Sequence, residues 1–210
     1  MSPLLIALLG ILLLPLFVAT WRMSLFGLAA QGLLMGWIAY RMGPPPTTAS
    51  EWLTLVDLVV VRGLWAPLAL YGILRAQGAD AHRDVVAPNL LTWTVALGMV
   101  VASFTFSEAL VAESGQQQTL ISVAGAGVLL GFLVLATQAS PLSQMMGALR
   151  IENAIALFEL GGERHHEPLW LQLAQTSVVA LTVLLYRRYL SMLGGSAAPT
   201  EEGALEEPTI

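Results

Sequence analysis

Residues 142–160 read Leu-Ser-Gln-Met-Met-Gly-Ala-Leu-Arg-Ile-Glu-Asn-Ala-Ile-Ala-Leu-Phe-Glu-Leu, a largely apolar stretch of membrane-spanning length with Glu152 near its middle. A carboxylate at that depth costs about 2.5–3.5 kcal/mol on insertion scales, and it is tolerated where it faces a partner or a water-filled cavity inside a helix bundle. Arg62 lies near the middle of another apolar segment. Two mid-depth charges of opposite sign indicate ion handling.

The composition is that of an integral membrane protein. Of the 210 residues, 56% are hydrophobic and 11% are charged, and the mean hydropathy is +0.73. A soluble domain carries about 25% charged residues. The net charge is −5, and four of the acidic residues lie in the C-terminal tail at 201, 202, 206 and 207. The sequence therefore shows no basic surface of the kind that would indicate a nucleic-acid partner.

Cysteine is absent, so the chain has no thiolates with which to ligate an iron–sulfur cluster. His82, His165 and His166 all fall in predicted loops, where no pair is placed to hold a haem. The charged 163–167 loop is interpreted as solvated, not as a metal site. We expect no metal, no cofactor and no catalytic residue in this chain, so any redox chemistry would belong to a partner.

Seven apolar segments are predicted to cross a hydrocarbon core about 30 Å thick. The predicted fold is an all-α, polytopic transmembrane helix bundle of about seven helices, with six as the alternative count. The helical domain covers residues 1–188, and a disordered acidic tail covers 189–210. The predicted segments are 3–20, 23–40, 52–74, 89–112, 119–138, 142–160 and 168–187.

The distribution of arginines predicts the orientation, because cytoplasmic loops carry an excess of basic residues. With the N-terminus outside, the inner side receives five arginines and the outer side two. The inner ones are Arg22, Arg75, Arg83, Arg187 and Arg188, and the outer ones are Arg41 and Arg164. The count favours an N-out, C-in protein of the inner (plasma) membrane, in contact with the lipid bilayer.

The sixth segment groups Gln144, Glu152, Asn153 and Glu159. Glu159 follows Glu152 by seven residues, about 20° away on a helical wheel, so both carboxylates share one face. Arg150 lies about 160° from Glu152 and cannot be its partner on the same helix. We interpret Glu152 as a protonatable group in a hydrated path. The alternative is a buried glutamate that a structural contact satisfies.

The third segment carries Asp57, Arg62 and Pro67 at five-residue steps. On an α-helix Asp57 and Arg62 are about 140° apart, so no pair within the helix is expected. Arg62 is expected to contact a carboxylate or polar backbone on another helix, either as part of an ion path or as a structural ion pair. Pro67 removes a helix hydrogen bond and is expected to bend the segment.

Helix packing is indicated by two small-residue steps and one amide. Gly32-x-x-x-Gly36 and Gly127-x-x-x-Gly131 allow helices to approach closely. Gln31, in the middle of the second segment, is interpreted as an interhelical hydrogen-bonding group.

The spacing Gln144-x-x-Gly-x-x-x-x-Glu152-Asn153 resembles the signature helix of the hydrogenase-4 component E family. These are membrane subunits of formate hydrogenlyase and related complex-I-like assemblies. They are similar in part to the K subunit of complex I and the C subunit of multisubunit sodium/proton antiporters. Arg22-x-Ser24 followed by Gln31 resembles the family's second helix. Arg62 with a proline five residues later resembles its third, where the family commonly has lysine.

The resemblance implies that Glu152 lies on a central hydrophilic axis and passes protons or couples charge to its neighbours. Arg62 would be the opposing charge. Since a guanidinium stays charged in practice, Arg62 would modulate Glu152 electrostatically and would not relay protons. The remaining residues assigned to this proton path are Gln31, Asp57, Gln144, Asn153 and Glu159.

The implied partners are antiporter-like membrane subunits and a peripheral redox module. One departure from the family lies in the seventh segment, where an aspartate is usual but residues 171–176 hold no carboxylate. Two alternatives stay open. One is a subunit of a cation/proton antiporter without a redox arm, and the other is a structural membrane anchor.

Overall fold

The computed structural model of the protein describes residues 3–14, 20–42, 46–76, 90–110, 115–137, 141–162 and 168–196. Within these ranges the chain is a bundle of seven helices with no β-strand, which confirms the predicted all-α fold. The three histidines and residues 197–210 of the predicted tail lie outside the described residues.

The seven helices correspond one to one with the seven apolar segments. The third helix, α3, is continuous over residues 49–76, and its middle is π-helical. The bounds are α1 Pro3–Leu13, α2 Trp21–Met42, α3 Ala49–Val56 with the π-helical Asp57–Trp65 and the α-helical Ala66–Ala76, α4 Leu90–Leu110, α5 Gln116–Thr137, α6 Pro141–Gly161 and α7 Leu169–Ser196.

Local signals fix several helix ends. A capping box starts α3, where the Glu51 N–H donates to the Thr48 hydroxyl at 3.3 Å and the Thr48 N–H donates to the Glu51 carboxylate at 3.0 Å. Pro141 begins α6, a position that needs no N–H donor. At its far end α7 continues to Ser196, beyond the predicted start of the tail at 189, because Leu190 is buried in the bundle.

Within the described ranges, five helices are long and apolar enough to cross a membrane: α2, α3, α4, α5 and α7. α1 has 11 residues and rises about 16 Å, roughly half of a hydrocarbon core. The predicted segment 3–20 runs on into residues 15–19, which lie outside the described part. α6 has 21 residues, but Arg150, Glu152 and Glu159 keep it out of the apolar group.

The charged helix α6 packs inside the bundle. It packs against α5, α2 and α7, and α1 fills the space between α2 and α5. The glycine step of α5 brings it close to α6, since a Cβ on Gly127 would lie 2.9 Å from the Ala154 Cβ and one on Gly131 would lie 3.3 Å from the Gly147 carbonyl oxygen. The predicted packing role of this step is confirmed.

The other glycine step joins α2 to the π-helical part of α3. A Cβ on Gly32 would lie 2.6 Å from the Gly63 nitrogen and 2.9 Å from the Arg62 carbonyl carbon. Gly36 meets the Val59 side chain one turn further on. The backbones of α2 and α3 are therefore in contact where they cross, next to the buried Arg62.

Candidate functional site

Two separate apolar cores fill the bundle. The first core includes Leu8, Met35, Ile38, Leu58, Leu120 and Leu157, and the second core includes Leu25, Leu28, Leu70, Met145, Leu149 and Val183. Each of α2, α3 and α6 contributes to both cores. The buried polar side chains of these helices lie near the boundary between the two cores.

We define the polar layer as the set Gln31, Asp57, Arg62, Glu152 and Asn153. On α2, Leu28 and Met35 belong to different cores and flank Gln31. On α6, Leu149 and Leu157 flank the adjacent Glu152 and Asn153 in the same way. The fold thus gathers five of the seven predicted site residues at one depth of the bundle.

The π-helix in α3 has a local cause. Pro67 lacks an N–H, and its ring clashes with the carbonyl four residues earlier, that of Gly63. The helical turn that precedes Pro67 is wider than an α-helical turn. In it the Ala66 N–H donates to the Val61 carbonyl, five residues earlier. π-helical turns of this kind are frequent at functional sites. Pro67 was expected to bend the helix, and the structure accommodates it in this way.

The expected separation of Asp57 and Arg62 is wrong. The Arg62 Nε donates to the Asp57 Oδ2 at 2.7 Å, and both residues are buried. The 140° separation assumed α-helical turns. In a π-helix the hydrogen bonds run between residues five apart, so side chains five apart lie on the same face of the helix. Arg62 therefore finds its carboxylate on its own helix.

Arg62 also reaches α6, as expected of a group that links two helices. Its NH1 donates to the Asn153 Oδ1 at 3.2 Å. One guanidinium thus uses two different nitrogens, one toward Asp57 and one toward Asn153. Neither of these two bonds goes to Glu152, although the charges of Arg62 and Asp57 both act on its carboxylate.

Glu152 lies half-buried where α6 faces α7. The Thr182 side chain of α7 lies close enough to its carboxylate to interact with it. Its Oε2 is buried and has no hydrogen-bond partner among the described residues. Most buried polar atoms in proteins have a partner, so an unpartnered carboxylate oxygen calls for an explanation.

Glu159 lies on the same face of α6 as Glu152, which confirms the predicted register. The Gln175 Nε2 on α7 donates to the Glu159 Oε1 at 3.0 Å. Both carboxylates thus face α7. Glu159 is exposed and lies near the end of α6, outside the polar layer.

The two glutamines assigned to the path have different positions. Gln31 is 1% exposed, and within the described part of the chain neither its Oε1 nor its Nε2 has a partner. It lies next to Gly32, at the crossing of α2 and α3. Gln144 is exposed near the start of α6, about 12 Å along the axis from Glu152, so the structure does not bring it into the polar layer.

Arg150 is a buried charge that the sequence reasoning did not assign to any site. It is 2% exposed and points away from Glu152, toward α2, as its position on the helical wheel requires. Its NH2 donates to the Ser24 carbonyl at 3.5 Å, beside Gly27, and its NH1 has no partner among the described residues. The signal for it was present in the sequence as a second charge at mid-helix.

A hydroxyl cluster between α4 and α5 was also missed. The Ser103 Oγ donates to the Ser122 carbonyl at 2.7 Å, and the Ser107 and Ser122 hydroxyls contact each other. These bonds lie within one helix pair, so the cluster is explained by helix association. No group of three or more acidic or histidine side chains that would hold a metal occurs in the described ranges.

Comparison of the chain with protein-family models, with curated proteins and with solved structures finds no match. The chemistry of the site therefore rests on the geometry of its own residues. That geometry defines an all-α membrane-type bundle with a charged layer buried between two apolar cores.

Proposed function

We propose that the chain is a membrane subunit of a complex-I-like, hydrogenase-linked assembly in which Glu152 carries protons or couples their movement. One observation carries this proposal. Glu152 lies at the depth of the polar layer with one carboxylate oxygen unpartnered among the described residues, while the nearby positive charge of Arg62 is bonded to other groups.

A glutamate with a purely structural role is expected to have its carboxylate oxygens bonded, since breaking a buried pair costs about 3–5 kcal/mol. The ion pair of the layer instead joins Asp57 to Arg62. The Glu152 carboxylate interacts electrostatically with Arg62 and Asp57 but is bonded to neither of them. That arrangement suits a group that must gain and release a proton, because no strong bond has to break at each step.

The other members of the layer support the same role. Arg62 keeps its charge and is held on two sides, so it acts as a fixed positive charge and not as a relay. The Asn153 Nδ2, the Asp57 Oδ1 and both polar atoms of Gln31 have no partner in the described part of the structure. Such groups are typically satisfied by internal water, which also conducts protons.

Two other functions remain as candidates. A cation/proton antiporter subunit without a redox arm would use the same layer in the same way. A structural anchor is favoured by one contact, the bond from Arg62 to Asn153, which ties α3 to α6. The proton-transporting functions and the structural anchor differ in the expected effect of removing the Glu152 charge.

The test uses the assembly captured through a tag on this chain and reconstituted in liposomes. Proton entry is driven by a potassium diffusion potential and followed with a pH-sensitive dye. Glu152→Gln keeps the size of the side chain, so the assembly should form while proton flux falls to background. Glu152→Asp should keep part of the flux, and Glu108→Gln, at an exposed position on α4, is the matched control. Undiminished flux in an assembled Glu152→Gln variant would overturn the proton role.

The proposal includes a location and partners. Five membrane-compatible helices support a membrane protein, and the arginine count supports the N-out, C-in orientation in the inner membrane. A reporter fused after residue 210 should then be active only as a cytoplasmic fusion. Extraction in mild detergent should give a large complex with antiporter-like subunits and a peripheral redox module. Recovery of a monomer that moves protons alone would contradict this assembly.

A further inference from the structure

α6 and α7 meet along a polar seam, which we define as Glu152 and Glu159 on α6 with Thr182 and Gln175 on α7. The Glu159 Oε1 accepts from the Gln175 Nε2 at 3.0 Å, and the Thr182 hydroxyl lies beside the Glu152 carboxylate. On each helix the two residues are seven apart, so the antiparallel pair keeps one register over about 10 Å. The seam is therefore a regular feature of the helix pair.

In the middle of α7, the side that faces the seam is more polar than the outer side. Val178, Leu181 and Leu185 are each more than half exposed and form an apolar outer face. Gln175 and Thr182 are half-buried against α6. An outer apolar face and an inner polar face are expected of a helix that shields a hydrated path from lipid.

Unpartnered acceptors lie in and beside the seam. The Glu152 Oε2 and the Gln172 Oε1 are both buried, and neither has a hydrogen-bond donor within the described residues. Gln172 is one turn from Gln175, toward the start of α7. Two buried acceptors along one helix interface need donors, and water is the donor that fits between packed side chains.

The seam is open at one end and closed at the other. Glu159 is exposed, two residues before α6 ends at Gly161, whereas Glu152 is half-buried in the middle of the helix. Beyond Thr182, the α7 residues Val183 and Leu190 are buried in the second core, and Tyr186 packs against that core. Among the described residues, the end of the seam at Glu159 is therefore the more open one.

We infer that this seam is the route by which protons reach Glu152 from the side of the membrane where α6 ends, the outer side in the proposed orientation. The inference rests on the proposed function. Water near Glu159 and Gln175 forms the entrance. At Thr182 the hydroxyl oxygen accepts a proton from a hydronium ion of the water chain, which is left as water, while the hydroxyl proton passes to Glu152. The hydroxyl is thus unchanged and the carboxylate gains one proton.

Hydration of the seam is tested by thiol labelling, which is clean because the chain has no cysteine of its own. Gln175→Cys and Thr182→Cys place a thiol in the seam, and Val178→Cys and Leu185→Cys place one on the outer face of the same helix. A charged methanethiosulfonate reacts with the thiolate, which forms in water and not in lipid. In membranes that hold the whole assembly, the seam thiols should react at least about tenfold faster than the outer ones.

The proton route is tested in the reconstituted assembly by changes that keep side-chain shape. Thr182→Val removes only the hydroxyl and should lower proton flux about tenfold, the effect of losing one hydrogen bond to a charged group. Thr182→Ser should restore most of the flux. Ser177→Ala is the control, because that hydroxyl is exposed and donates to the Leu173 carbonyl of its own helix.

The outcomes separate this inference from the proposed function. If seam and outer thiols react equally slowly, or if Thr182→Val keeps full flux while Glu152→Gln loses it, the seam is not the route and Glu152 keeps its role. If Glu152→Gln keeps full flux, both proposals fall. Fast labelling of the seam with loss of flux in Thr182→Val and rescue in Thr182→Ser supports both.

Discussion

Arg62 and Asp57 form a buried ion pair of 2.7 Å within a single helix, although they are five residues apart. The pair exists because the turn that joins them is π-helical. Its consequence for the site is electrostatic. The positive charge nearest to Glu152 is already balanced by its own helix, so the field at Glu152 is that of a dipole and not of a bare cation.

Removing one member of this pair should be far more damaging than removing both. Asp57→Leu leaves the Arg62 guanidinium buried without its counter-charge and should lower the free energy of unfolding by about 3–5 kcal/mol. The double variant Asp57→Leu/Arg62→Met replaces the pair with apolar side chains, which is often neutral or stabilising. Unfolding in increasing dodecyl sulfate, followed by far-UV circular dichroism, measures both. A double variant as unstable as the single one would contradict a self-contained pair.

Arg62→Lys should not be a mild change. Arginine reaches Asp57 with Nε and Asn153 with NH1, whereas lysine has one ammonium group to offer. Losing one of the two bonds should cost about 1–3 kcal/mol and loosen α3 from α6. The same unfolding titration checks it, with Arg75→Lys at an exposed position of α3 as the control. Equal stability of the two variants would show that only the charge matters.

Gly32→Ala should separate two helices that now touch through their backbones. The added Cβ would lie 2.6 Å from the Gly63 nitrogen, and backbone atoms cannot turn aside as a side chain can. We expect a loss of about 1–3 kcal/mol, as for other overpacked sites. Gly72→Ala meets no atom within 4 Å and should be neutral or stabilising by up to about 1 kcal/mol. Thermal stability of the two variants in native gels distinguishes them.

Arg150→Met should leave the assembly intact. In the described structure Arg150 has one long bond to the Ser24 carbonyl and no carboxylate partner, so its burial is costly. Methionine keeps much of the length and removes the charge. Recovery of the complex after detergent extraction should equal that of the natural chain. A collapse of assembly would mean that the guanidinium itself holds α6 to α2.

The sequence was sufficient for features that depend on periodicity and on small side chains. Seven apolar runs correspond to seven helices, and the shared face of Glu152 and Glu159 follows from their spacing of seven. The contact of Gly32 with α3 was indicated by its glycine step, although nothing in the sequence named the partner helix. These features involve residues that are close in sequence or that recur along one helix, so they can be recognised from the sequence alone.

The features that were missed depend on departures from the ideal α-helix or on contacts between helices. The 140° separation of Asp57 and Arg62 assumed regular α-helical turns. The presence of Pro67 did not indicate how many of the preceding residues would become π-helical. The match of Gln175 with Glu159 and of Thr182 with Glu152 needs the register between α6 and α7, which no single segment encodes. The burial of Arg150 likewise depends on where α2 lies.

The ion pair within α3 also bears on how the protein is made. A helix that carries its own counter-charge is neutral as it leaves the ribosome, so α3 can enter lipid before any neighbour is present to balance it. α6 has no such pair within the described structure, and its arginine and glutamate point to opposite sides. It comes later in the chain, when α2, α3 and α5 have already been synthesised and can receive it. α6 is thus synthesised after most of the helices that surround its charged side chains.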